Sequence, residues 1–175
     1  NEMEDANLSD TFWEIGLVQD LETSAINSPF FNVFLAAQVH CSDNSLLMNG
    51  TKVRDLITTM GDIHHIFPKG YLQKNGITDK SKYNQIANYT YLDTQTNISI
   101  GEKAPNEYFK TVFEQCVSKE MKFGNISDTA LLEENLSINC IPENVVSMDA
   151  THYEDFLLGR RKLMAKKIKD YYNSL

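Results

Sequence analysis

Apolar residues recur at helical spacing over most of this chain, and the spacing breaks once, near the middle. Phe12, Ile15, Val18 and Leu21 predict a helix over 8–25, with Ser9 or Asp10 available as its cap. Pro29 suits a first helical turn and opens a second, strongly apolar helix through Phe30, Phe31, Val33, Phe34, Leu35 and Val39. The aromatic residues of 30–34 read as core packing, and 44–50 reads as a loop. Val53, Leu56 and Ile57 mark a third, short helix that ends near Gly61. Later, Tyr108, Val112, Phe113 and Val117 predict a helix over 104–122, and 129–136 predicts a short one. The last helix runs from Tyr153 to Tyr172. There Phe156, Leu157, Leu163, Met164, Ile168 and Tyr171 share one arc of about 140°.

The break falls at Ile63 to Phe67, a short β-like run. A polar loop over 69–82 follows, with a helical turn at Tyr71-Leu72. Tyr89 and Tyr91 then alternate with Thr90, which predicts a second strand, and 93–97 reads as a turn. The order is strand, loop, strand, turn, helix. No repeat, low-complexity tract or linker divides the chain. The pattern therefore predicts one compact α+β domain, mostly helical: a helical part over 1–60, a β-containing insert over 61–122, and a helical part over 123–175.

Net charge changes this picture less than its distribution does. The 175 residues carry −8, but residues 1–50 hold eight acids and no Lys or Arg. The remaining 125 balance 16 bases against 16 acids, and six of those bases crowd into 160–169. The acidity belongs to the N-terminal part and does not exclude a nucleic-acid substrate elsewhere. Three cysteines, Cys41, Cys116 and Cys140, form no C-x-x-C pair and point away from a disulfide framework, toward a reducing cytoplasm. No apolar run approaches the roughly 20 residues of a membrane helix, so no membrane partner is expected. A chain that opens at Asn1, with no signal-peptide pattern, reads as a piece of a longer protein. The N-x-S/T sequons carry no weight in that setting.

The candidate chemistry lies at the break, in Asp62-Ile63-His64-His65-Ile66-Phe67-Pro68, with Asn88 and Asn97 beyond it. A phosphodiester is a poor electrophile, so cutting it needs an activated water and a positive centre on the leaving oxygen. Neutral imidazole accepts a proton near pH 7, a divalent cation stabilises a developing alkoxide, and an Asn amide offers both a donor and an oxygen. Adjacent strand residues point to opposite faces, so a bulge or turn is expected if both imidazoles serve one site. Asp62 and Asp93 fit strand-end and turn positions, and His40 and His152 fit helix ends.

Taken together, His64-His65-Ile66-Phe67-Pro68, Asn88, and Asn97 nine residues on resemble the ββα-metal (HNH) nuclease finger. The wider strings 61–69, 86–92 and 96–101, and the Phe156-Leu157 … Arg160-Arg161-Lys162-Leu163-Met164-Ala165 helix, are similar to the C-terminal domain of GmrSD-type modification-dependent restriction proteins. The resemblance implies a ββα-metal finger embedded in a helical domain. His65 would be the general base. His64 and Asn97 would hold one divalent metal ion (Mg, Mn, Ni or Zn), and imidazole suits the last three better than Mg. Asn88 would hydrogen-bond the finger backbone and hold the His65 loop. It further implies a DNA endonuclease module of an anti-phage protein of the bacterial cytoplasm, with a ParB-like nucleotide-hydrolysing domain upstream. Cutting both strands would favour a homodimer or two binding events.

Candidate nucleic-acid contacts are Lys69, Arg160, Lys162, Lys166 and Lys169. Against them stand a solvated lysine face on the last helix and, for Arg160 and Lys167, snorkelling at the core's edge. Two other readings stay open: a non-catalytic DNA-binding or assembly domain that keeps the finger as a scaffold, and an RNase or toxin-like nuclease.

Overall fold

A computed structural model describes residues 8–59 and 63–175; Gly61 and Asp62 therefore lie outside the described residues. Among them the chain is helix-rich, with one two-stranded antiparallel sheet, as the α+β pattern predicts. A π-helical turn, Phe12–Gly16, leads into α1 (Leu17–Asp20). Its hydrogen bonds close from i to i+5, so the inward face drifts from the expected one. Trp13, Leu17, Val18 and Leu21 face the core and Ile15 is exposed. Ser28 caps α2 (Pro29–His40) by accepting from the Phe30 N–H, with Pro29 in the first turn as predicted. Helix α3 is Val53–Thr58.

Strands β1 (Ile63–His65) and β2 (Tyr89–Tyr91) pair with Ile63 opposite Tyr91, His64 opposite Thr90 and His65 opposite Tyr89. The segment between them is more ordered than the loop its polarity predicts. It holds α4 (Lys69–Lys74) and α5 (Lys80–Tyr83), the latter capped by the Asp79 carboxylate on the Ser81 N–H. The turn expected over 93–97 is also a helix, α6 (Thr94–Ile100). The Asp93 carboxylate accepts from the Thr96 backbone N–H and hydroxyl. Asp-Thr-Gln-Thr-Asn suits turns and helix starts alike, and here it starts a helix.

Helices α7 (Pro105–Ser118), α8 (Thr129–Ile138) and α9 (Tyr153–Tyr172) complete the fold. On α7 the buried face is Tyr108, Phe109, Val112 and Cys116, leaving Val117 exposed. The strands are joined to this helical frame by stacked rings and polar bonds. Phe67, just after β1, lies 5.2 Å from the Tyr153 ring and 4.7 Å from Phe156 of α9.

Two basic residues depart from the expected edge-of-core positions. Arg160 is fully buried on α9. Its guanidinium donates to the carbonyls of Ala87 (2.9 Å), Tyr89 (2.6 Å) and Asn139 (3.3 Å). Burial pushes its pKa down to about 10, which leaves it charged at neutral pH. Arg160 is thus a rivet between α9 and β2 rather than a nucleic-acid contact. Lys167 reaches inward to the buried Asp43 carboxylate at 2.6 Å and to the Ile138 carbonyl at 3.0 Å.

Candidate functional site

His65 is the last residue of β1 and is half-buried. Its ring stands edge-on to Tyr89 across the ladder at 5.3 Å, with Tyr83 at 6.4 Å. Its Nε2 lies 2.9 Å from Oδ1 of Asn84. A carbonyl oxygen only accepts, so Nε2 carries the proton and Nδ1 keeps its lone pair. Desolvation lowers the His65 pKa below its ordinary 6.5; the Asn84 bond works the other way, and the Lys69 charge lowers it further. The result is a neutral imidazole at pH 7, oriented by one amide. Asn84 escaped the sequence reading because Lys-Tyr-Asn-Gln in a polar stretch carries no spacing signal.

The backbone after His65 is fully hydrogen-bonded. The Ile66 N–H donates to the Asn88 carbonyl at 2.9 Å, and the Ile66 carbonyl accepts from the Tyr108 hydroxyl of α7 at 2.7 Å. Asn88, fully buried, accepts from the Phe67 N–H at 2.8 Å and donates to the Phe67 carbonyl at 3.1 Å. Its second amide hydrogen reaches the Tyr83 carbonyl at 3.3 Å. Both backbone groups of Ile66 and of Phe67 are thereby satisfied. One side chain ties the His65 turn to β2 and to the segment that carries Asn84.

The other candidates are distributed differently. His64 is buried and shares the ladder face of Thr90. The register runs without a bulge through His65, so the two imidazoles leave β1 on opposite faces. Asn97 is half-buried on α6, between the buried Thr96 and Ile100 of the same helix. Among the described residues no group of three or more His, Cys, Asp and Glu side chains gathers as a metal site. Lys69 is exposed, with its ammonium 5.3 Å from the centre of the Tyr83 ring.

The lysine stripe of α9 is not a free positive surface. Lys166 pairs with Asp170 at 2.8 Å and Lys169 with Asp10 at 3.1 Å. Lys162, Lys166 and Lys169 line one cleft of about 630 Å³ together with Glu14 and Asp170. Local acids thus offset the stripe. His40 ends α2 against Tyr171, and His152 closes a capping box with Asp149, as helix-end residues do.

Comparison with known proteins adds little to this geometry. No family model and no solved structure matches the chain. A 51-residue stretch is 39% identical to uncharacterized protein MJ0686 of Methanocaldococcus jannaschii; it covers 29% of this chain and 9% of that protein's length.

Proposed function

We propose that this chain is a metal-dependent DNA endonuclease module in which His65 is the general base. The observation that carries the reading is the treatment of His65. Its ring is neutral and held by Asn84, and the turn behind it is locked by a fully buried Asn88. A half-buried ring nitrogen gains a hydrogen-bond partner in any scaffold. A base gains a defined lone pair, on Nδ1, toward which a water can donate. Lys69 stands beside it as a cation for the phosphate.

His64 and Asn97 fit the metal by donor chemistry. An imidazole nitrogen and an amide oxygen are neutral donors, which leave a divalent ion's charge to be balanced by substrate phosphate. When bound, the ion would stabilise the leaving oxygen. By the same family resemblance the products are 5′-phosphate and 3′-hydroxyl ends. The module would then serve a restriction-type protein of the bacterial cytoplasm, with a ParB-like domain upstream.

The bulge-free register favours a second reading, because opposite-facing imidazoles need not share a substrate. On that reading the chain is a DNA-binding or assembly domain without catalysis. Incubating the purified protein with supercoiled plasmid and each of Mg, Mn, Ni and Zn separates the two. Nicking that EDTA abolishes supports the endonuclease. Intact plasmid under all four ions sinks it.

A further inference from the structure

Between β1 and β2 the chain makes an excursion, residues 66–88, whose charge is opposite to that of the whole. It holds Lys69, Lys74, Lys80 and Lys82 against the single acid Asp79, 4 − 1 = +3 in a chain of −8. All four lysines are exposed. Lys74 is taken up by an ion pair with Glu102. Lys69, Lys80 and Lys82 have no carboxylate at salt-bridge distance among the described residues. Asp79 is committed to capping α5, with Lys82 near enough to lower its pKa.

These charges are presented by a fixed frame. The Tyr153 hydroxyl of α9 donates to the Lys82 carbonyl at 3.0 Å, and the Tyr71 hydroxyl accepts from the Ala150 N–H at 2.9 Å. Lys80 lies one helical turn before Asn84, the residue that orients His65. Lys69 and His65 lie against the same ring: the ammonium is 5.3 Å and the imidazole 6.4 Å from the centre of Tyr83. The excursion therefore carries the Lys69 charge beside His65 and the Lys80 and Lys82 charges on the segment that bears Asn84, whereas the α9 lysines are offset by Asp10, Glu14 and Asp170. Its rings are turned inward: Phe67 and Tyr83 are buried and Tyr71 half-buried. Without exposed rings it lacks the stacking platform that single-stranded nucleic acid uses.

We infer that this excursion, through Lys69, Lys80 and Lys82, is the surface that receives the phosphate backbone of duplex DNA. The inference rests on the nuclease reading for its substrate but makes its own claim, which binding alone can test. The probe is a short fluorescein-labelled DNA duplex, followed by anisotropy across a salt series. His65→Ala protein is used so that nothing is cut. Each phosphate contact contributes about 0.9 to the slope of log affinity against log salt. The triple variant Lys69→Gln/Lys80→Gln/Lys82→Gln should flatten the slope by about 2–3, and Lys80→Gln/Lys82→Gln alone by about two-thirds of that.

The control Lys162→Gln/Lys166→Gln/Lys169→Gln should leave the slope in place. An unchanged slope in the triple variant, a loss confined to the control, or no salt-dependent binding at all would overturn the surface. So would tighter binding to the matching single strand. Plasmid nicking by the wild type is scored separately. Nicking with an unchanged triple-variant slope removes the surface and keeps the nuclease. A flattened slope without nicking keeps the surface and removes the nuclease.

Discussion

Asn84 decides which nitrogen of His65 is free. Its Oδ1 sits 2.9 Å from Nε2, so the basic lone pair is on Nδ1. That bond also stabilises the charged ring, against the larger desolvation that lowers the pKa. Asn84→Ala should therefore lower the His65 pKa further, as read by an NMR titration of the ring protons, and should slow cleavage by freeing the ring. An upward shift would mean that the bond does not act on His65 as described. The same direction of shift sets a pH profile. On the proposed mechanism the base works unprotonated, so activity should fall as pH drops through the His65 pKa, which lies below 6.5. A cation held at His64 acts in the same sense. The acid limb of kcat/KM should thus appear below pH 6.5; a limb above 7 would assign it to another group.

Strand β2 is only three residues long, and an isolated pair of such strands is not stable by itself. It persists because the carbonyls of Ala87 and Tyr89, on either side of Asn88, are tied to Arg160 of α9. Arg160→Met keeps much of the side chain's volume and leaves those buried carbonyls unpaired. Urea unfolding should show a loss of about 2–6 kcal/mol, at roughly 1–3 for each of the two unsatisfied carbonyls. A change under 1 would mean that water replaces the guanidinium.

Elements of this kind bound what a sequence can show. The alternation Tyr-Thr-Tyr and the Pro29 start are local signals, and both elements stand where they predict. Helix α6 and the pair α4 and α5 were hidden in cap-forming polar residues, whose propensity serves turns and helix starts equally. Arg160 reads in the sequence as a nucleic-acid contact or a snorkelling residue at the core's edge, because its partners are backbone carbonyls 21 to 73 residues away, which leave no trace in composition. The hydrogen bonds of Asn88 follow the motif spacing; those of Asn84 depend on a fold that only tertiary packing creates.

For the whole molecule, charge sets the expected strength of DNA binding. A net −8 opposes the phosphate backbone at long range, and the positive excursion acts only at short range. The isolated chain should bind duplex DNA weakly near physiological salt, with a Kd of about 10⁻⁴–10⁻⁶ M, as non-specific binders do. Isothermal titration gives this value directly. Nanomolar, sequence-specific affinity would show that these 175 residues select a target by themselves.

The claim on which the rest depends is that His65 removes the proton from water. The decisive comparison is the single-turnover nicking rate of wild type and His65→Ala, at saturating protein and with the most active of the four ions. Circular dichroism confirms that both are folded. Loss of a general base costs about 10²–10⁴ in rate, and His65→Ala should fall by that factor with DNA affinity unchanged. Nicking by His65→Ala at the wild-type rate would contradict the assignment and leave the ordered imidazole without a catalytic role.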